Sequence, residues 1–281
     1  VAVVIVLANH FGTSGALVIY GFAWAVFVVP YAVLAVPIAT TAFPELSARD
    51  ADGGDAQRGG GFDATAAAST RAVMIASWLG AAVLIGAREP IARVFESRSA
   101  GAASVLALAL AAFALALIGY GLSANLSRVL YARHRNRAPA LAIACGWLLV
   151  IAADAAIVPF VPAPRVVPVL GLGTTFGLTV SGIALLILVR RECGPAALSR
   201  VPRAFLAGLT GCVAGAVAGS AVSSVISGAV PAVPAGEFLL NVGLSVLVAV
   251  VVTAVFAAVA GRLDGGDLRT ALSRLRARPS S

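Results

Sequence analysis

Hydrophobic positions run through this chain in long, nearly unbroken stretches, and short polar gaps between them carry most of the charge. A stretch of about twenty apolar residues matches the ~30 Å hydrocarbon core of a bilayer at ~1.5 Å of rise per helical residue. The pattern predicts full spans at about Leu17–Phe43, Ala66–Ala87, Ala100–Leu126, Pro139–Val161, Val167–Val189, Phe205–Val225 and Phe238–Ala260. The opening run, Val1 to Asn9, is too short to cross a membrane. It lacks the basic flank and the small-residue cleavage site of a signal peptide, so the sequence is expected to open partway through a helix. The fold class is all-α: a polytopic transmembrane bundle of about seven full spans plus one partial N-terminal span. Between Glu45 and Asp63 the chain turns polar and Gly-rich, which predicts a flexible loop.

Charge gives the bundle a direction. Of 281 residues 60% are hydrophobic and 11% charged, against roughly 25% charged in soluble domains. The net charge of +8 comes from arginine alone, since lysine is absent. In a soluble protein that balance would point to nucleic acid. Here the arginines alternate with the spans, so no nucleic-acid partner is expected. Arg49, Arg58 and Arg71 flank one gap, Arg128, Arg133, Arg135 and Arg137 flank the next on the same side, and Arg190, Arg191, Arg200 and Arg203 come after that. The tail adds Arg262, Arg269, Arg274, Arg276 and Arg278 to that side, and only Arg88, Arg93, Arg98 and Arg165 fall on the other. By the positive-inside rule the arginine-rich loops and the C-terminus lie in the cytoplasm of a multi-pass plasma-membrane protein. Leu268, Leu272 and Leu275 share one face of that tail, which suits either a helix on the inner leaflet or an ordinary solvated tail.

Polar groups and helix breakers inside the spans are few enough to weigh singly. Pro30, Pro37 and Pro44 recur every seven residues in the second helix. Each lacks an N–H and crowds the carbonyl four residues earlier, so the helix is expected to bend there, as a transporter hinge at Pro30 and Pro37 or as static kinks. Asp154 is the single carboxylate deep within a predicted span. An ionised Asp at mid-bilayer costs ~3 kcal/mol, so it either holds a cation or proton or links helices through hydrogen bonds. Thr174, Thr175, Thr179 and Ser181 on the following span are candidate partners. Gly211, Gly215 and Gly219 fall on one helix face and predict close helix packing, with Gly173, Gly177 and Ser181 as a weaker copy. Cys145, Cys193 and Cys212 have no metal-ligand or redox spacing. His134 is expected to be a solvated loop residue. No triad, paired carboxylates or phosphate-cradling Gly loop is present, so no enzyme activity and no metal site are expected.

Two stretches carry a family resemblance. Residues Pro30 to Ser47, PYAVLAVPIATTAFPELS, resemble the eighth helix of the MurJ/MviN family, the lipid II flippases of the multidrug/oligosaccharidyl-lipid/polysaccharide exporter superfamily. Residues Leu130 to Pro139, LYARHRNRAP, are similar to that family's loop after the tenth helix. The chain departs from the pattern at Ala25, where the family has Arg, at Arg135 for Asp and at Ala138 for Thr. The G-x-F-T stretch is also missing around Phe95–Arg98. The resemblance implies the C-terminal half of a flippase: family helices seven to twelve over 1–191, two further helices over 192–262, and a basic cytoplasmic tail over 263–281. It implies flipping of lipid II by alternating access, with Asp154, Thr175 and Thr179 along the substrate or cation pathway and Arg133, Arg135 and Arg137 in a cytoplasmic loop. A coupling cation, Na+ or H+, is the one cofactor class implied. The implied partners are a lipid-linked cell-wall precursor, membrane lipids, and cell-wall or division proteins. Two rivals stay open: an exporter of another polysaccharide lipid or of drugs by cation antiport, and a non-transporting scaffold, toward which Ala25 points.

Overall fold

The computed structural model describes residues 2–51, 61–96, 102–229 and 237–264. The described residues form helices α1 (Ala2–Phe11), α2 (Ala16–Pro30), α3 (Val36–Ala51), α4 (Gly61–Gly86), α5 (Arg88–Glu96) and α6 (Ala102–Ala114). They continue as α7 (Ala116–Ala132), α8 (Arg137–Ile157), α9 (Val166–Cys193), α10 (Val201–Ala229) and α11 (Glu237–Asp264). A π turn at Tyr31–Ala35 joins α2 to α3, and α6 and α7 run on as one span. Seven of these stretches are long and apolar enough to cross a membrane, one for each span expected from hydropathy. The protein is a multi-pass membrane protein with an all-helical fold.

Two boundaries differ from expectation. The ends of the predicted Glu45–Asp63 loop are helical: α3 continues to Ala51 and α4 begins at Gly61. Good helix formers such as Glu45, Leu46 and Ala48 let the helix run past the apolar stretch, and Thr65 Oγ1 donates to Glu45 Oε1 at 3.4 Å. The second difference is α5, a helix that no apolar run announced. Its Pro90 sits in the first turn, where the missing N–H has no helical partner to lose. Ala92 is fully buried and Phe95 packs on Phe22 of α2 with ring centroids 4.4 Å apart. The expectations for the tail beyond Asp264, for residues 52–60 and for Arg98 lie outside the described residues.

Small residues set how closely the helices approach. α10 lies between α4 and α11. A β-carbon on Gly211 would stand 3.0 Å from the Phe256 ring, on Gly215 3.1 Å from Val252 Cγ1, and on Gly219 2.5 Å from Val252 Cγ2. The glycine stripe is the seat of α11. Lipid tails are as apolar as leucine, so such contacts, rather than hydrophobic exclusion, hold membrane helices together. α9 is the central post, touching α6, α7 and α8. Against α8 it repeats the device in antiparallel register: Gly146 faces Ser181, Val150 faces Gly177, and Asp154 faces Gly173.

Candidate functional site

Asp154 lies one turn before α8 ends at Ile157, in the half of the span away from Arg137. Val158–Phe160, with Pro159 inside, tightens into a 3-10 turn that carries the span on to Phe160, one residue short of the Val161 expected from hydropathy. The carboxyl group is 2% exposed, and its Oδ1 has no hydrogen-bond partner among the described residues. The oxygen rests on Gly173, where any β-carbon would overlap it.

Three of the four hydroxyls expected beside Asp154 turn elsewhere. Thr175 turns to α6, where its Oγ1 donates to the Ala112 carbonyl at 2.6 Å. Thr179 is exposed, and Ser181 accepts from Ser123 Oγ at 3.2 Å while closing on Gly146. Successive helical residues are turned by ~100°, so four hydroxyls within eight positions cannot all face one partner. Thr174 is the one that stays close. Its Oγ1 donates to the Leu170 carbonyl at 2.9 Å and hydrogen-bonds the Tyr20 hydroxyl, and Tyr20 is an electrostatic neighbour of Asp154. Tyr20 stacks on Trp24 at 6.3 Å and meets Phe113 edge-on at 5.6 Å; Trp24 in turn reaches Trp147 at 6.3 Å. A buried carboxyl group whose oxygen rests on backbone with no hydrogen-bond partner among the described residues is costly as an anion. Tyr20 was invisible as a site residue because a tyrosine near the start of a span reads as an interfacial anchor.

The proline-rich helix yields a second feature. Between Pro30 and Pro37 the helix opens into a π turn, with the Val36 N–H donating to the Tyr31 carbonyl five residues back. In an α-helix the ring of Pro37 would press on the carbonyl of Val33; the wider turn relieves that clash. Pro30 packs against Gly80 of α4, where a β-carbon would come 2.8 Å from its Cβ. Past the turn, Thr40 Oγ1 donates to the Val36 carbonyl at 2.9 Å and Thr41 Oγ1 to that of Pro37 at 2.8 Å, contacts of the kind that bend helices. Tyr31 meets Tyr120 of α7 at 4.2 Å between centroids, and Arg128 is its electrostatic neighbour. Arg128, which flanks the following loop, lies in the last turns of α7, and its half-buried guanidinium donates to the Ala124 carbonyl at 2.6 Å. Its place inside the span was hidden because the apolar run fades at Leu126.

The remaining arginine-rich segments meet at one end of the bundle. Arg135 Nε pairs with Glu192 at 3.1 Å, and the Arg133 guanidinium covers the Phe62 ring at 4.2 Å. Arg71 donates to the Ser199 carbonyl and Arg203 to the Leu263 carbonyl, each at 3.0 Å. Arg137 opens α8 at the same end, and His134, exposed, turns the chain there with φ 57. Ala25 lies on the exposed side of α2.

A family model described as Lipid II flippase MurJ matches residues 1–233. Among solved structures, "Lipid II flippase MurJ, inward closed conformation" superimposes with a TM-score of 0.61 at 18% identity, over 91% of this chain and 50% of that one. The chain thus spans about half the length of the solved protein it matches. At that identity the superposition establishes a shared fold. No curated protein sequence matches the chain.

Proposed function

The chain belongs to the lipid II flippase MurJ family, and on that premise we propose that it is the C-terminal lobe of a flippase moving lipid-linked peptidoglycan precursor across the plasma membrane. The match of the family model over residues 1–233 is the observation that carries this reading. The division of labour follows the same premise: residues 1–191 form the transport lobe, 192–262 add two accessory helices, and the arginine-rich end with the C-terminus faces the cytoplasm.

Two features of the geometry support alternating access. The π turn between Pro30 and Pro37 interrupts the α-helical hydrogen-bond ladder and is the flex point of the lobe. Asp154, with Tyr20 and Thr174, receives the coupling cation, Na+ or H+. A proton or ion arriving there cancels a buried charge, so it changes the balance between the lobe's two arrangements by its differential binding. Lipid-linked precursor and membrane lipids are the partners, together with cell-wall or division proteins.

The test is transport. The purified protein in proteoliposomes is expected to expose labelled lipid II to an impermeant reagent faster than empty vesicles do, and to leave other labelled lipids untouched. Equal movement of an unrelated polysaccharide lipid would move the reading to a broader exporter. No movement of any lipid would favour a second reading, a scaffold for cell-wall machinery, which one observation supports: Ala25 leaves the exposed face of α2 without the family's cation.

A further inference from the structure

Between α8 and α9, on the outer surface near the arginine-rich end, lies an open cleft of about 460 Å³. Leu141 and Cys145 of α8 and Ala184, Ile187 and Leu188 of α9 form its walls. It ends where Gly146 closes on Ser181, whose Cβ would lie 2.6 Å from an added β-carbon. The cleft opens outward rather than into the core: Leu141 is 64% exposed and Cys145 is exposed.

Helical register sets arginines just beyond the end of this cleft. α8 and α9 keep a constant antiparallel register, Gly146 on Ser181 and Asp154 on Gly173. Continued in the other direction, that register sets Arg137 level with Arg190 and Arg191. Helical spacing places Arg137 one turn from Leu141 on the same face, and Arg191 one turn from Ile187. Both guanidinium groups belong to exposed residues. The adjacent carboxylate, Glu192, is held by Arg135 at 3.1 Å, and neither Arg137 nor Arg191 pairs with a carboxylate among the described residues.

An apolar slot inside a span that ends between two guanidinium groups matches a lipid with an acyl chain below and an anionic phosphate above. We propose that the cleft between α8 and α9 holds one acyl chain of an anionic phospholipid, whose phosphate is bound by Arg137 and Arg191. A zwitterionic lipid carries the same kind of chain but lacks the net charge that two arginines select, so it occupies the slot less. The inference rests on the helices spanning a membrane, not on transport, so it stands or falls independently of the flippase reading.

Cys145 is a native reporter inside the slot. The full protein is placed in nanodiscs of phosphatidylcholine with or without phosphatidylglycerol, and alkylation of Cys145 by N-ethylmaleimide is followed by peptide mass. Phosphatidylglycerol is expected to slow alkylation about fivefold, the weight of roughly one lipid-facing arginine. The double variant R137Q/R191Q is expected to lose that protection and to keep the rate seen in phosphatidylcholine. Equal rates in the two lipids would overturn the proposal, and this comparison needs only the wild-type protein. Protection by phosphatidylglycerol that survives in the double variant would remove the arginines from the site. Protection by a polyprenyl phosphate where phosphatidylglycerol gives none would assign the cleft to a prenyl tail and overturn the named occupant.

Discussion

Asp154 of α8 rests its carboxyl oxygen directly on the backbone of Gly173 of α9, at a point where no side chain fits. The contact is the last rung of a ladder whose other rungs are Val150 on Gly177 and Gly146 on Ser181. It places a buried acid on a joint between two helices, so packing and charge are linked there.

Gly173→Ala is expected to destabilise the protein by ~1–3 kcal/mol, because the added methyl forces α8 and α9 apart or drives the carboxyl group off its place. Gly21→Ala is the control: nothing lies within 4 Å of a β-carbon there, and its φ is ordinary. Thermal unfolding in detergent compares the two. Equal melting temperatures would mean that α8 and α9 do not meet as described.

Asp154→Asn keeps the shape of the side chain and removes the charge. Stability is expected to hold or rise by up to ~1 kcal/mol, since an acid with an unpaired buried oxygen is replaced by a neutral group. Lipid transport is expected to lose its dependence on Na+ or on a proton gradient. A variant whose transport still follows the same gradient as the parent would reduce Asp154 to a packing residue.

Pro37→Ala restores a backbone N–H and lets the π turn relax toward an α-helix. The helix is expected to gain up to ~3 kcal/mol, the usual cost of an interior proline. If flexing at this turn limits alternation, the more stable protein flips lipid more slowly. Faster transport at higher stability would remove the turn from the moving parts.

Gly219→Leu overfills the seat of α11, where Val252 Cγ2 stands 2.5 Å from an added β-carbon. A loss of ~1–3 kcal/mol is expected, with α11 loosened from α10. A cysteine at Val248, buried in the parent, then becomes reactive to thiol reagents in the variant alone. Unchanged protection of that cysteine would place the α10–α11 contact elsewhere.

Restoring the family's cation by Ala25→Arg bears on the scaffold reading. A parent inactive in transport that gains lipid II flipping owes its silence to this one position. A variant as silent as the parent gives that explanation no support.

Length, hydrophobic patterning and the spacing of glycines and prolines were enough to establish the helices that cross the membrane, a close-packing glycine face on α10 and the weak point after Pro30. These are local properties: a run of about twenty apolar residues has no lower-energy place than the bilayer, and a proline lacks its N–H in any fold. The grouping of the arginines could likewise be read along the chain, because topology is set by the order of the spans. What lay beyond reach was every question of which face meets which. Thr175 and Thr179 stood near Asp154 along the chain, yet the helix turns them to Ala112 and to the exterior, while Tyr20 arrives from a helix more than a hundred residues away in sequence. The apolar run fades before Arg128 although α7 extends past it, and α5 had no apolar run to announce it. Rotation about a helix axis and the close approach of glycine surfaces depend on all the neighbours at once, so only the packed bundle decides them.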